Sequence, residues 1–252
     1  MDFVTRSRDA TTGVTRYLVG GEGPPLVHLH SASGVRITPV IEALARTRTV
    51  YLPLMPGFDG TAPLPEGAGM RDVAHRTLDF VDEIVGGTTE VVGVSFGAWI
   101  ACWLVWLEPA RVVRLVLESP AGFSPEGSSS LEGDPATFLA RAFAHPEKRR
   151  PETRTADTVA ANRAAAGRYG GGVVRDLELV GLLSSVRVAA LIIHGEKDGV
   201  VPAEAPRLLH AMLPVSTLHE IGDAAHNVEI DQPEAVIEAI GAFLGLPSGA
   251  RE

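Results

Sequence analysis

A chain of 252 residues, 45% apolar and with a mean hydropathy of +0.15, has enough apolar material for a large α/β core with or without an insertion. Its net charge of −9 provides no basic face for nucleic acid, and no run approaches the roughly 18 apolar residues of a membrane span. The single Cys102 excludes an internal disulfide, and an opening segment with acids and no apolar signal core leads us to expect a cytoplasmic protein.

Two strands are predicted first, over 14–19 and 26–30, with no helix between them, so the sheet should open antiparallel. A helix over 38–45, a strand over 49–54 and a helix over 71–85 follow. Next come a strand over 90–94, a strongly apolar helix over 96–107 and a strand over 114–118. After a break the alternation resumes with strands over 190–194 and 216–221, each followed by a helix, over 203–213 and 233–244. Such alternation predicts a largely parallel sheet covered by helices on both faces. The break itself is rich in Gly, Pro, Ser and charge, with short helical pieces over 135–144 and 155–167. Asp134 before Pro135 is a good start for the first of them. We therefore divide the chain into a core of 1–120 and 186–252 and a helical lid inserted at 121–185. The last six residues read as a frayed tail.

The most informative motif is Gly93-Val94-Ser95-Phe96-Gly97, between a strand and a helix. Glycines two positions either side of a serine permit a sharp turn that exposes its hydroxyl as a nucleophile. Such a serine needs a base, and the base needs an orienting acid. His226, just after the last strand, is the candidate base, and Asp198, after the penultimate strand, is the candidate acid. Glu118, Glu196 and Asp223 are rival acids. Both chosen positions follow the carboxyl ends of strands, where open α/β sheets gather their binding groups.

Several residues have bland readings. His28 and His30 lie on one strand face, but no third ligand accompanies them, and bracing of a loop explains them better than a metal. Trp99, Trp103 and Trp106 form a helical stripe suited to the core. His219 suits an edge, Cys102 suits buried packing, and Gly170-Gly171-Gly172 lacks the context of a phosphate loop.

Taken in order, Pro25-Leu26-Val27-His28-Leu29-His30, Pro56-Gly57-Phe58-Asp59-Gly60-Thr61, Gly93 to Gly97, His194 to Pro202 and Ala225-His226 resemble the α/β-hydrolase superfamily, in its lidded branch without cofactor. The resemblance spans nearly the whole chain except the lid. It implies an eight-stranded-type, mostly parallel sheet, a Ser95–His226–Asp198 triad and a covalent acyl-enzyme. It further implies an oxyanion hole from the backbone N–H groups of Phe96 and Ala32. The family usually has His-Gly where this chain has His30-Ser31, which puts a tilted loop or a capping hydroxyl in question.

The expected function is hydrolysis of an ester, lactone or thioester on a small-molecule substrate, with no metal. Hydrolysis of a carbon–carbon bond in a dienol or β-diketone is the enzymatic alternative. Relatives of that kind typically carry tryptophan after the histidine, where this chain has Asn227. A ligand-binding protein on a hydrolase fold is the non-enzymatic alternative. The oligomeric state stays open, a dimer included.

Overall fold

Apolar residues come in runs along the central strands, and the computed structural model shows that successive ones leave for opposite faces. The structure describes residues 2–10, 13–128 and 135–246. Among these residues, β1 (Val4–Ala10), β2 (Gly13–Gly20), β3 (Pro25–Leu29) and β4 (Thr49–Pro53) are followed by β5 (Thr89–Val94), β6 (Val112–Glu118), β7 (Ala190–Gly195) and β8 (Ser216–Ile221). They form one sheet in the order β1-β2-β4-β3-β5-β6-β7-β8. β1 with β2 and β2 with β4 are antiparallel, and the other five pairs are parallel. The described helices are α1 (Pro39–Leu44), α2 (Met70–Phe80), α3 (Phe96–Leu107), α4 (Pro135–Ala142), α5 (Ala156–Gly170), α6 (Leu177–Leu182), α7 (Glu204–Met212), α8 (Val228–Asp231) and α9 (Pro233–Leu244).

Period-two alternation divides the core. Val27, Leu29, Val91, Leu115, Leu117 and Ile192 pack with α2, α3 and α7 on one face. Leu26, Val92, Val116, Leu191 and Ile193 pack with α1 and α9 on the other. Strands covered on both faces read as continuous apolar runs, which is why β5, β6 and β7 were legible. From Phe96 to Val105 every residue of α3 is buried, so its apolar character runs all round. Trp99 and Trp103 are core as expected, with Trp106 half-buried at its margin, and the pair has a polar anchor: each donates an indole N–H to Asp176 Oδ2 at 2.8 Å.

Local chemistry sets the helix ends. Thr38 Oγ1 accepts from the Ile41 N–H at 3.2 Å, with Pro39 opening α1. The helix expected over 71–85 starts at Met70, where Asp72 accepts the Gly69 N–H at 2.8 Å. It then widens into a π-helical turn over Val81–Val85 that ends at Gly86, φ +80°. Three elements escaped the sequence reading: β1, α6 and α8. β1 is exposed and charged, an edge strand paired with β2. α8 has four residues, too few to show a period.

Three helices, α4 to α6, lie between β6 and β7, where the insertion was expected. Thr155 caps α5 through a bond from the Thr158 N–H at 3.2 Å, and Asp176 caps α6 through one from the Leu179 N–H at 3.0 Å. Asp134 and the tail over 247–252 lie outside the described residues. No described helix is long and apolar enough to cross a membrane. At the centre of the sheet β3 has β4 on one side and β5 on the other, so the chain's crossovers part there and leave a crevice at the strands' carboxyl ends.

Candidate active site

β5 ends at Val94 and α3 begins at Phe96, which leaves a single residue to turn the chain. Ser95 takes φ +53° and ψ −106°, a region that side chains rarely adopt. The turn requires two bare backbones. A Cβ at Gly93 would lie 2.5 Å from the Gly97 carbonyl oxygen, and one at Gly97 would be driven into that of Leu29. Hydrogen bonds hold the strain: Ser95 N–H donates to Glu118 O at 2.8 Å, and Ala121 N–H donates to Ser95 O at 3.2 Å.

The three residues singled out for acyl transfer meet here. Asp198 Oδ2 lies 2.9 Å from His226 Nδ1, and His226 Nε2 lies 2.9 Å from Ser95 Oγ. Burial by itself would raise the Asp198 pKa, but His226, His194 and the Val201 N–H together bring it below the usual carboxylate value. An ionised Asp198 only accepts, so His226 carries its proton on Nδ1 and offers the Nε2 lone pair to the Ser95 hydroxyl. Asp198 Oδ1 is also occupied, by the Val200 and Val201 N–H groups at 2.8 Å each. Ser95 and His226 are each 8% exposed, so the site is nearly closed to water.

Each loop is braced from outside. The Lys197 N–H donates to Ala224 O at 2.8 Å, joining the acid's loop to the base's loop. Asp231, fully buried, accepts the Ala225 N–H at 2.8 Å together with the Ala144 and His145 N–H groups at 2.9 Å. Asn227, in the position after the base, donates through Nδ2 to Ala142 O at 3.0 Å.

The two expected oxyanion donors belong to the first residue of α3 and to the loop after β3. The Phe96 N–H opens α3, where a helix leaves donors without an intrahelical partner. Ala32 lies in the turn after β3, closed by a bond from the Gly34 N–H to Ser31 O at 3.0 Å. Ser31 does not distort this turn. The described non-glycine residues with positive φ are Asp59, Ser95, Ser119 and Asp223, and Ser31 Oγ accepts the Ser33 N–H at 3.3 Å. His30 braces the loop as expected. Its Nδ1–H donates to Ser31 O at 2.8 Å, and its Nε2 accepts the Met55 N–H at 3.3 Å. Burial lowers the His30 pKa to about 4, so the ring is neutral, as both bonds require.

Asp198, rather than a rival acid, bonds to His226. Glu118 is fully buried, and burial with the nearby Glu229 carboxyl raises its pKa well above the usual value. Glu196 is exposed, and Asp223 pairs with Lys197 and His145 at the surface. His28 Nε2 faces Glu229 Oε1 at 3.1 Å, and His219 is exposed on β8. Burial pushes the Cys102 thiol pKa up, which leaves it unreactive. The sequence reading missed Asp59, Asn162 and Asp231. The first lies in a quoted motif, whereas no local signal marks the other two.

A family model described as "Alpha/beta hydrolase family" matches residues 26–239. The chain is 26% identical over 250 residues to a 2-hydroxy-6-oxo-2,4-heptadienoate hydrolase of Pseudomonas putida, covering 89% of this chain and 90% of the relative. It is 27% identical over 248 residues to a pimeloyl-[acyl-carrier protein] methyl ester esterase of Serratia marcescens, covering 89% and 95%. Among solved structures, a serine hydrolase involved in carbazole degradation superposes with a TM-score of 0.80 at 25% identity, over 98% of this chain and all of the other.

Proposed function

This chain belongs to the alpha/beta hydrolase family, and we propose that it is a serine hydrolase acting on an ester, lactone or thioester. The observation that carries the proposal is the unbroken line Asp198–His226–Ser95, with 2.9 Å at both steps, ending at a strained turn that presents the hydroxyl.

In this reaction Ser95 Oγ attacks the carbonyl carbon while its proton passes to His226 Nε2. Asp198 stabilises the resulting imidazolium through Nδ1–H. The carbonyl oxygen becomes an oxyanion facing the Phe96 and Ala32 N–H groups, each donor worth about 3 kcal/mol in such sites. The positive end of α3 favours the same charge. The leaving alcohol or thiol takes the proton from His226, which leaves an acyl ester on Ser95. Water then attacks that ester with His226 as base, releasing the acid and restoring Ser95. The segment 121–185 serves as the lid that keeps other water away.

A neutral substrate fits the charges best. Arg36 is paired with Glu152, and Arg154 with Glu152 and Asp59, so both guanidinium groups beside the Ala32 loop are already committed to carboxylates. A second reading, hydrolysis of a carbon–carbon bond, is favoured by the names of the dienoate hydrolase and its kind. A dienoate brings a carboxylate, which gains less from guanidinium groups already paired in this way.

The deciding experiment measures kcat/KM on a p-nitrophenyl ester, an aliphatic lactone and a 2-hydroxy-6-oxo-dienoate, for the parent and Ser95→Ala. We expect the ester or lactone to lead, and Ser95→Ala to lose about 10⁴-fold or more with an unchanged circular dichroism spectrum. Turnover that survives the substitution would reject Ser95 as nucleophile. Preference for the dienoate would move the second reading to first place.

A further inference from the structure

The loop that carries Ala32 is tied down by side chains from two other segments. Asp59, at φ +48° in the loop after β4, accepts the Val35 N–H through Oδ2 at 2.8 Å. Its Oδ1 accepts from Asn162 Nδ2 at 2.9 Å and from Arg154 Nη1 at 3.1 Å. Asn162 closes the ring: its Oδ1 accepts the Asp59 N–H at 2.8 Å, and its Nδ2 also reaches Ser33 O at 3.1 Å. Arg154 Nη1 donates to the same Ser33 carbonyl. Asn162 stands on α5 and is 1% exposed, an unusual degree of burial for an amide unless its bonds are satisfied. Gly34 sits inside the ring at φ +86°, where a Cβ would collide with Arg154, Asn162 and Asp59.

A donor stabilises an oxyanion only when it is held in place before charge develops. The turn at 31–34 supplies two bonds of its own, both to Ser31, and His30 adds one to Ser31 O, so that only its near side is held without Asp59 and Asn162. We infer that Asp59 and Asn162 are positioning residues for the oxyanion loop. They fix Ser33 and Val35 on either side of Gly34 and thereby set the direction of the Ala32 N–H. Because Asn162 belongs to α5, the far side of the loop takes its final position when the inserted helix is seated on the core. Closing the site and completing the oxyanion hole are then one event. The inference rests on the acyl-transfer reading above.

The test compares the parent with Asn162→Ala on an activated ester and on its thiono counterpart, in which sulfur replaces the carbonyl oxygen. Amide donors hold an oxygen anion better than a sulfur anion, so the oxo-to-thiono rate ratio reports on the hole itself. We expect kcat to fall about 10²-fold with KM within about twofold of the parent, since misplacement of an ångström has that cost. The oxo-to-thiono ratio should fall roughly tenfold. Asp59→Asn, which keeps the side-chain volume but faces the Asn162 and Val35 donors with one acceptor fewer, is read in the same way should Asn162→Ala fail to fold. A folded variant with normal kcat, or with lowered kcat and an unchanged ratio, overturns the inference. A parent that hydrolyses neither ester overturns the acyl-transfer reading itself, and the inference with it.

Discussion

His30 shows how a single side chain outside the triad ties the site to pH. Its folded pKa is lowered to about 4 from 6.5, chiefly by burial, so the native state binds fewer protons than the unfolded chain in that interval. The contribution is therefore fully present above pH 6.5 and is lost as the pH falls towards 4, by about 3 kcal/mol over the whole span. Urea unfolding at pH 7 and pH 5 should show this loss, and His30→Gln should show a flatter dependence. A dependence of equal slope in both proteins would remove the assignment. At this scale the meeting of Ser95, His226 and Asp198 was legible because each follows a strand and carries chemistry that few residue types supply. The choice of Asp198 over Glu118 was also legible, from its place after the penultimate strand. The partners of these residues were not. Asp59 and Asn162 are 103 residues apart, and His28 and Glu229 are 201 apart, and spacing along a chain does not encode such meetings.

Among the elements, the junction of β5 and α3 bears the heaviest steric demand. Adding one methyl group at Gly97 drives it into the carbonyl oxygens at the end of β3, so Gly97→Ala must part the two elements or distort Ser95. We expect a loss of about 3 kcal/mol, at the upper end of overpacking, measured by denaturant unfolding, together with loss of activity. Wild-type stability in that variant would mean that the two elements are not in this close contact. This demand is why the motif could be read from sequence: a turn so crowded admits almost no other residues. Where the demand is weaker the sequence says less. β1 is a solvent-facing ladder with no apolar face to reveal it, and α8 is a single turn whose role is to set Glu229 and Asp231 beneath the His226 loop.

For the whole molecule, the sheet presents four separate loops at one edge, and the inserted helices connect them. α5 holds the loop after β3 through Asn162, α3 meets the segment before α6 through Asp176, and Asp231 joins the His226 loop to residues 144 and 145. The order of the strands was not readable, but the mostly parallel sheet and the helical character of the insertion were, as alternation and its interruption. Its anchoring was not, because polar side chains on short helices carry no period. The central claim is that this assembly holds Ser95 ready to react. Intact-mass analysis after exposure to a fluorophosphonate probe, with the parent beside Ser95→Ala, tests it most directly. The account predicts one rapid adduct on the parent and none on the variant. An unmodified, folded parent, or an adduct that persists without Ser95, would contradict it.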